Sequence, residues 1–269
     1  MKIGFYDSGL GGIKTLKDII DMGLEEEIYF LADEKNKPYG IKSPEEVKKI
    51  AKENVQLLVD LGCEIVVVAC NTATSVAITN LRQKFSDVEI IGTEPAVKPA
   101  IDEGLGKKVL VIATTITVKG EKLKKLIKKL HTEGKVDLLA ADKLVTLIED
   151  ENYLNNQKNV NIYLKNLLQQ YNLKEFSHII LGCTHFPLVK DNLEMILKEQ
   201  NLDIKVIDGN EGIGKNLFNK IKEKNGVKND FKLHIIITAE NEAFKKRTKE
   251  ILENIDYSME TLHNPWNVV

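Results

Sequence analysis

Short apolar segments rich in β-branched residues alternate with longer stretches of mixed polarity along this chain of 269 residues. The apolar segments are 2–6, 27–32, 64–69, 108–113, 178–182, 204–208 and 233–238. In most stretches between them the apolar positions recur every three to four residues, which is typical of a helix with one buried face. Strands this apolar are buried on both faces, as in a parallel sheet covered by helices. The pattern predicts an α/β fold with parallel sheets.

The stretch 43–62 carries the clearest helix signals. Ser43 can cap the helix, Pro44 suits its first position, and Glu46 can complete a capping box with Ser43. Gly62 is placed to end it. One helix should therefore fill almost the whole stretch between two strands.

The charges nearly cancel, with 38 Lys and Arg against 40 Asp and Glu. A general nucleic-acid binder needs a positive surface, so this balance argues against one. The one Lys-rich segment, 119–130, has its apolar residues at helical spacing, which indicates a solvated amphipathic helix and not a nucleic-acid patch. These residues are Leu123, Leu126, Ile127 and Leu130.

The chain has three cysteines, an odd and small number that argues against a secreted disulfide scaffold. No apolar run approaches the ~20 residues that cross a bilayer, and the sequence opens without a signal-peptide pattern. We therefore expect a soluble cytoplasmic protein with reduced thiols and no membrane partner.

Two segments follow the same plan. "EIVVVACNTATS" (64–75) and "SHIILGCTHFPL" (177–188) each read as strand, small residue, Cys, polar pair and helix start. "KIGFYDSGLGGIKTL" (2–16) and "KVLVIATTITVKGEKL" (108–123) form a second, looser pair. The pairs predict two similar α/β domains, with the active site in the cleft between them, because parallel sheets bind ligands at the carboxyl ends of their strands. The predicted domains are 1–94 plus 208–269, carrying Asp7 and Cys70, and 95–207, carrying Cys183 and His185.

Cys70 and Cys183 are the leading candidates for chemistry. Each follows a buried strand and precedes a predicted helix start, where exposed N–H groups and the helix dipole favour a thiolate. A lone Cys in such a place is usually an inert buried residue, but two in matching positions favour a functional role. Cys63, at a helix-to-strand turn, is assigned to packing. Metal binding is disfavoured, because the chain has no Cys-x-x-Cys and Cys183 and His185 are only two residues apart.

Asp7 opens the segment "DSGLGG" (7–12). This is neither the complete dinucleotide fingerprint nor a Walker loop, and an acid before the glycines would repel a phosphate. Asp7 can cap a helix that starts near Leu10, or it can be the partner of a charged or proton-transferring group. The two roles are compatible.

Two thiols on facing walls of a cleft suit racemisation by two bases, in which one removes a proton from carbon and the other returns one to the opposite face. A Cys can be tuned to act as both base and acid near neutral pH. Asp7 and His185 can hold or accept the thiol protons. Hydroxyl and amide side chains can grip the carboxylates and ammonium of an amino acid: Ser8, Asn71, Thr72 and Thr184. A Cys-His hydrolase would leave the second Cys without a task.

Four motifs, in this order, carry a resemblance to the bacterial glutamate racemases: "DSGLGG", "PYG" (38–40), "ACNTAT" (69–74) and "GCTHFPL" (182–188). The resemblance spans essentially the whole chain. It implies a homodimeric, cofactor-independent enzyme that interconverts L- and D-glutamate and supplies D-glutamate for peptidoglycan. Two α/β domains with the active site between them are implied as well.

The resemblance also assigns roles to residues. Cys70 and Cys183 become the proton donors and acceptors, assisted by Asp7 and His185. The implied substrate contacts are Asp7, Ser8, Pro38, Tyr39, Gly40, Asn71, Thr72, Thr184 and His185. Thr114 and Thr117 in "ATTIT" stand where the family has Gly-Thr-x-x-Thr. Glu149 corresponds to a glutamate near the cleft of relatives, although "AADK" (140–143) replaces the usual Cys-Pro pair nearby.

Three alternatives stay open. The nearest is a racemase for another acidic amino acid, chiefly aspartate. A Cys-His hydrolase or decarboxylase on the same fold should need only one of the two cysteines. A non-catalytic binding or regulatory protein would have no need for both thiols together with both partner residues.

Overall fold

A computed structural model describes residues 1–153, 155–224 and 230–262. Ten strands are found in these ranges: β1 Lys2–Asp7, β2 Glu27–Ala32, β3 Ile65–Val68, β4 Glu89–Gly92, β5 Lys108–Ala113, β6 Val136–Ala140, β7 Phe176–Gly182, β8 Lys205–Asp208, β9 Lys232–Ile237 and β10 Ser258–Thr261. The same ranges contain eleven α-helices: α1 Leu10–Asp21, α2 Pro44–Asp60, α3 Asn71–Lys84, α4 Val97–Glu103, α5 Thr115–Lys119, α6 Glu121–Lys129, α7 Asp142–Glu149, α8 Gln157–Leu168, α9 Lys190–Glu199, α10 Asn210–Glu223 and α11 Glu242–Leu252.

The chain divides into two compact units. The first combines Met1–Thr93 with the described residues from Asn210 on, and the second is Glu94–Gly209. The domain boundaries inferred from the sequence stay a prediction.

The first unit is built on a six-stranded parallel sheet in the order β10-β9-β2-β1-β3-β4. The central strands β1 and β3 are almost completely buried, because helices cover both faces of the sheet. Strand β9 comes from the far part of the sequence and pairs with β2 along its whole length. Two distant stretches of chain therefore complete one sheet.

The second unit is built on a four-stranded parallel sheet in the order β6-β5-β7-β8. Successive residues of β5 point to opposite faces of this sheet. Leu110 and Ile112 belong to a core with α7, α8 and α9, whereas Val109 and Val111 belong to a core with α4 and α6. Both faces are covered, and the predicted parallel α/β fold is confirmed in each unit.

The seven strands expected from apolar runs are all present, and β4, β6 and β10 are additional. Each of these three is an edge strand, short and only partly buried. An edge strand has solvent on one side, so its sequence need not be continuously apolar. This explains why hydrophobic patterning alone did not find them.

The helix expected at 43–62 is α2, and its capping box is present, with Ser43 Oγ accepting from Glu46 N–H and Glu46 Oε2 accepting from Ser43 N–H. The Lys-rich segment forms α6, which buries Leu123 and leaves its lysines on the outer face. Cys63 is buried against Gly4, and burial raises its pKa to about 12, as expected of a packing residue. Within the described ranges, we find no helix with the length and apolarity that a membrane crossing requires.

Candidate active site

The polar residues of the first unit lie at the carboxyl ends of β1, β2 and β3. These ends are held level by backbone hydrogen bonds, since Asp33 N–H donates to the Asp7 carbonyl and Ala69 N–H donates to the Tyr6 carbonyl. Parallel strands that end together place the following residues at one edge of the sheet. We call the group that results the first thiol site: Asp7, Ser8, Pro38, Tyr39, Gly40, Cys70, Asn71 and Thr72.

Asp7 is completely buried at the end of β1. Its Oδ2 accepts hydrogen bonds from the N–H groups of Gly9 (3.0 Å) and Gly12 (3.1 Å), so the side chain caps the start of α1. A Cβ at position 12 would lie 2.3 Å from Asp7 Cβ, which no side chain tolerates. Gly12 is therefore required for Asp7 to occupy this position, and the capping role inferred from the sequence is present.

Cys70 is the N-cap residue of α3 and is 4% exposed. Its sulfur accepts a hydrogen bond from Ala73 N–H (N···S 3.4 Å) and lies 3.8 Å from Ser8 Oγ. Backbone N–H groups at a helix start favour negative charge on the atom they face. Asn71 and Thr72 are the first two residues of α3, both buried, and thus lie next to the thiol.

Tyr39 lies in a short 3₁₀ helix, Tyr39–Ile41, that follows the cis Lys37–Pro38 peptide. Its hydroxyl donates to Asp33 Oδ2 (2.5 Å) and is 2.6 Å from the Tyr6 hydroxyl. The Tyr39 hydroxyl thus forms its hydrogen bonds within the first unit. Any contact of the 38–40 segment with a substrate must then involve other atoms, such as the partly exposed Pro38 and Gly40.

Sequence reasoning missed the polar cluster behind Tyr39, which we call the Asp33 network: Tyr6, Asp33, Asn36, Tyr39, Asn54 and Thr238. Four side chains donate to the buried Asp33 carboxylate, at 2.5–3.2 Å: Asn36, Tyr39, Asn54 and Thr238. Burial, followed by nearby negative charges, raises the pKa of both tyrosines well above the usual value. Asp33 directly follows the β2 segment, so an acid at a strand end was the available signal.

The second unit repeats the principle at the ends of β5 and β7. Ala113 pairs with Gly182, so the residues that follow them are neighbours: Thr114 after β5 and Cys183 after β7. The hydroxyls of Thr114 and Thr117 are 3.1 Å apart, and both residues are buried. We call the group here the second thiol site: Thr114, Thr117, Glu149, Cys183, Thr184 and His185.

The backbone after Cys183 differs from the expected helix start. A 3₁₀ helix, Phe186–Val189, comes first, and α9 begins only at Lys190. Pro187 has no N–H to donate, and the Phe186 N–H bonds the Cys183 carbonyl in the tighter pattern. The argument from a helix N-terminus therefore applies to Cys70 and not to Cys183.

Cys183 is linked to a charged pair instead. His185 Nδ1 lies 3.8 Å from the Cys183 sulfur, and His185 Nε2 lies 2.5 Å from Glu149 Oε1. Burial opposes protonation of the ring, but hydrogen bonds to Cys183 and Glu149 and their charges outweigh it and raise the His185 pKa to about 10. The imidazolium can donate to sulfur and to carboxylate at once. Glu149 thus contacts His185, a partner that the sequence did not indicate.

The geometry gives each unit one buried thiol at the carboxyl end of its sheet, each beside groups that can hold or move a proton. Such a thiol can serve as a base when ionised and as an acid when protonated. Within the described ranges, no three or more His, Cys, Asp or Glu side chains are grouped so that they could hold a metal ion.

Comparisons with known proteins identify the family of the chain. A family model described as Asp/Glu/Hydantoin racemase matches residues 17–212. A glutamate racemase from Lachnospira eligens is 43% identical over 226 residues, 83% of this chain and 83% of that protein. One from Campylobacter concisus is 46% identical over 223 residues, 82% and 83% of the two chains. The crystal structure of a glutamate racemase isoform from Bacillus anthracis matches with a TM-score of 0.86 at 29% identity, over 98% and 97% of the two chains. The chain belongs to the Asp/Glu/Hydantoin racemase family and is an amino-acid racemase.

Proposed function

We propose that the protein is a glutamate racemase that uses Cys70 and Cys183 as its two proton-transferring groups and needs no cofactor. The observation that carries the proposal is the placement of one buried thiol at the functional edge of each sheet, with its own polar surroundings. The relatives named glutamate racemase, at 43% and 46% identity, support glutamate as the substrate.

In the proposed reaction both cysteines act on the α-carbon of one glutamate molecule. One cysteine, as a thiolate, removes the proton from Cα, and the other, as a thiol, delivers its own proton to the opposite face. No electron is gained or lost, and the two sulfurs exchange protonation states. Cys70 acts on D-glutamate and Cys183 on L-glutamate, with Asp7 assisting the first and His185 the second.

Substrate binding is assigned to the side chains and backbone groups around each sulfur. In the first thiol site these are Asp7, Ser8, Pro38, Tyr39, Gly40, Asn71 and Thr72. In the second they are Thr114, Thr117, Glu149, Thr184 and His185. Donors fixed before the substrate arrives can stabilise the charge that develops as the Cα proton leaves.

We propose in addition that the protein acts as a cytoplasmic homodimer and provides D-glutamate for peptidoglycan synthesis. Within this proposal the chain forms two domains, 1–94 plus 208–269 and 95–207.

The test is α-proton exchange in D2O with the untagged protein and no added pyridoxal phosphate or metal. Each enantiomer of glutamate should gain deuterium at Cα and convert to the other enantiomer, as followed by NMR and chiral chromatography. L- and D-aspartate provide the matched substrate comparison. Faster conversion of aspartate than of glutamate would assign the protein to the aspartate branch, and no exchange with either substrate would refute the proposal.

A further inference from the structure

The Asp33 network lies directly behind the first thiol site and shares Tyr39 with it. Strand β1 connects the two, because Tyr6 belongs to the network and Ser8, two residues later, contacts the Cys70 sulfur. Tyr6 also pairs in register with Val68, two residues before Cys70. Charge on Cys70 contributes to the raised pKa of Tyr6, after burial itself, so the two groups interact electrostatically.

The hydrogen bonds of the network have a fixed direction. Both oxygens of the buried Asp33 side chain accept hydrogen bonds, from four side chains in all, so Asp33 acts as the acceptor in this network. Tyr39 has one hydroxyl proton and donates it to Asp33. The short contact between Tyr6 and Tyr39 then requires Tyr6 to be the donor. In the series Tyr6, Tyr39 and Asp33, each hydroxyl proton therefore points toward Asp33.

This direction leaves the Tyr6 oxygen with acceptor capacity alone. A hydroxyl whose proton is already engaged in a hydrogen bond can accept a second hydrogen bond but cannot donate one to a thiolate. The side chains that donate to Asp33 are all neutral: Asn36, Tyr39, Asn54 and Thr238. Both features disfavour a second negative charge nearby.

We propose that Asp33 is a positioning residue for Cys70: it orients the Tyr39 and Tyr6 hydroxyls so that Tyr6 can only accept, which favours the protonated thiol over the thiolate. The inference rests on the proposed function only for its catalytic consequence, namely that Cys70 is the sulfur that carries the proton in the resting enzyme. The state of the thiol itself can be measured without substrate.

Other groups near Cys70 also affect its charge. The Ala73 N–H favours the thiolate, and the Ser8 hydroxyl can donate or accept. Asp7, the last residue of β1, precedes Ser8 and adds negative charge at that strand end, while the neutral Asn54 of α2 donates to Asp33. The first turn of α3 carries no acidic residue. Asp33 and its hydroxyl pair therefore oppose the helix N-terminus.

The experiment measures the rate at which iodoacetamide alkylates Cys70 as a function of pH, in a Cys63→Ala, Cys183→Ala background. Asp33→Asn keeps the shape but removes the charge and one accepting oxygen. The midpoint of alkylation should move to lower pH by about one unit, which is about ten-fold more thiolate at a given pH below the midpoint. Thr238→Val is the matched control, because it removes one donor to Asp33 while leaving the Tyr39 and Tyr6 protons directed as before.

Tyr6→Phe tests the path of the effect, since it deletes the terminal acceptor. It should move the midpoint in the same direction, and Asp33→Asn added to it should have little further effect, because the two changes act through one chain. An unchanged midpoint in Tyr6→Phe would overturn the proposal even if Asp33→Asn did not fold. A full Asp33→Asn effect in the Tyr6→Phe background, or an equal shift in Thr238→Val, would overturn it as well.

In the catalytic protein, the acid limb of kcat/KM for D-glutamate should move to lower pH in Asp33→Asn by a similar amount. The limb for L-glutamate, which depends on the second thiol site, should stay in place. An equal fall in kcat/KM for both enantiomers, with the acid limbs of both pH profiles unmoved, would indicate a merely structural role and overturn the proposal. Absence of glutamate turnover in the unaltered protein would instead refute the proposed function, while the alkylation result would stand by itself.

Discussion

The two thiol sites have the same position in their sheets but opposite surroundings. The Cys70 sulfur is contacted by the Ala73 N–H and the Ser8 hydroxyl. The buried Asp33 side chain belongs to the polar network next to this site. Cys183 lies beside His185, whose pKa is raised to about 10 and whose Nε2 is hydrogen-bonded to Glu149. One site is negative and rich in hydroxyls, and the other contains a buried imidazolium.

The difference shows that a similar loop determines where a thiol lies and not which groups surround it. The groups that distinguish the two sites lie on distant elements, Asp33 after β2 in one unit and Glu149 at the end of α7 in the other. A reaction with two bases starts with one sulfur protonated and the other ionised. Unlike surroundings can hold the resting protein in one such state, and the following predictions test that comparison.

The largest effect is expected from the sulfurs themselves. Cys70→Ser and Cys183→Ser should each lower kcat/KM for glutamate interconversion at least about a thousand-fold, because an alcohol is far less readily ionised than a thiol. Chiral chromatography of the reaction measures this. Cys63→Ala is the control, since this thiol lies outside both sites. Normal racemisation by either serine variant would refute the two-thiol assignment.

The next effect separates the two partners. His185→Asn and Asp7→Asn should slow the enzyme by about a hundred-fold without abolishing it, because a partner tunes a base and does not replace it. Initial rates with each enantiomer should show His185→Asn most damaging with L-glutamate and Asp7→Asn with D-glutamate. Equal losses in both directions for both variants would remove the functional distinction between the sites.

Glycine substitutions compare how tightly the two sites are packed. Gly12→Ala should lower the free energy of unfolding by about 1–3 kcal/mol, because its Cβ would collide with Asp7. Gly182→Ala, whose Cβ would lie 3.1 Å from Ala113 Cβ, should cost less. Gly212→Ala meets no atom within 4 Å and should be neutral or stabilise α10 by up to about 1 kcal/mol. Urea denaturation of the three variants gives the ranking, which a larger loss in Gly182→Ala would contradict.

The smallest rate effect is expected from Glu149→Gln, about ten-fold, from the loss of one charge-assisted hydrogen bond. The His185 pKa should fall below about 10, because a neutral amide no longer stabilises the imidazolium. NMR titration of the labelled ring measures this. An unchanged titration would show that Glu149 does not hold the proton on His185.

The same histidine sets a pH dependence of stability. Its pKa is raised from 6.5 to about 10 on folding, so the folded protein binds more protons than the unfolded chain between these values. Its stabilising contribution is complete below pH 6.5 and is lost as the pH rises through about 10. Glu149→Gln should flatten the fall in unfolding free energy over this window, and an identical slope in both proteins would contradict the assignment.

The sequence predicted the fold and the thiols because both depend on local patterns. Apolar runs identified the buried strands, and a small residue before Cys70 and Cys183 identified the two strand ends. The edge strands β4, β6 and β10 were missed, because half-exposed strands need no apolar run. The contact of Glu149 with His185 was missed for another reason, since residues 36 positions apart meet only when α7 packs beside the loop after β7.

The Asp33 network illustrates the same limit. Its four donors come from three separate places in the sequence, 36–39, Asn54 and Thr238, and Thr238 lies 205 positions from Asp33. No local pattern links such residues. The acid at the end of an apolar segment was visible, but its partners depend on the pairing of β2 with β9.

That pairing has a consequence for the order of events during translation. The second unit is one uninterrupted stretch, so all of its residues are made before strands β9 and β10 of the first unit. Until residues 232–238 appear, β2 has an open edge and Asp33 lacks its threonine donor. Every residue around Cys183 is therefore made before the strand pairing that completes the Asp33 network can form.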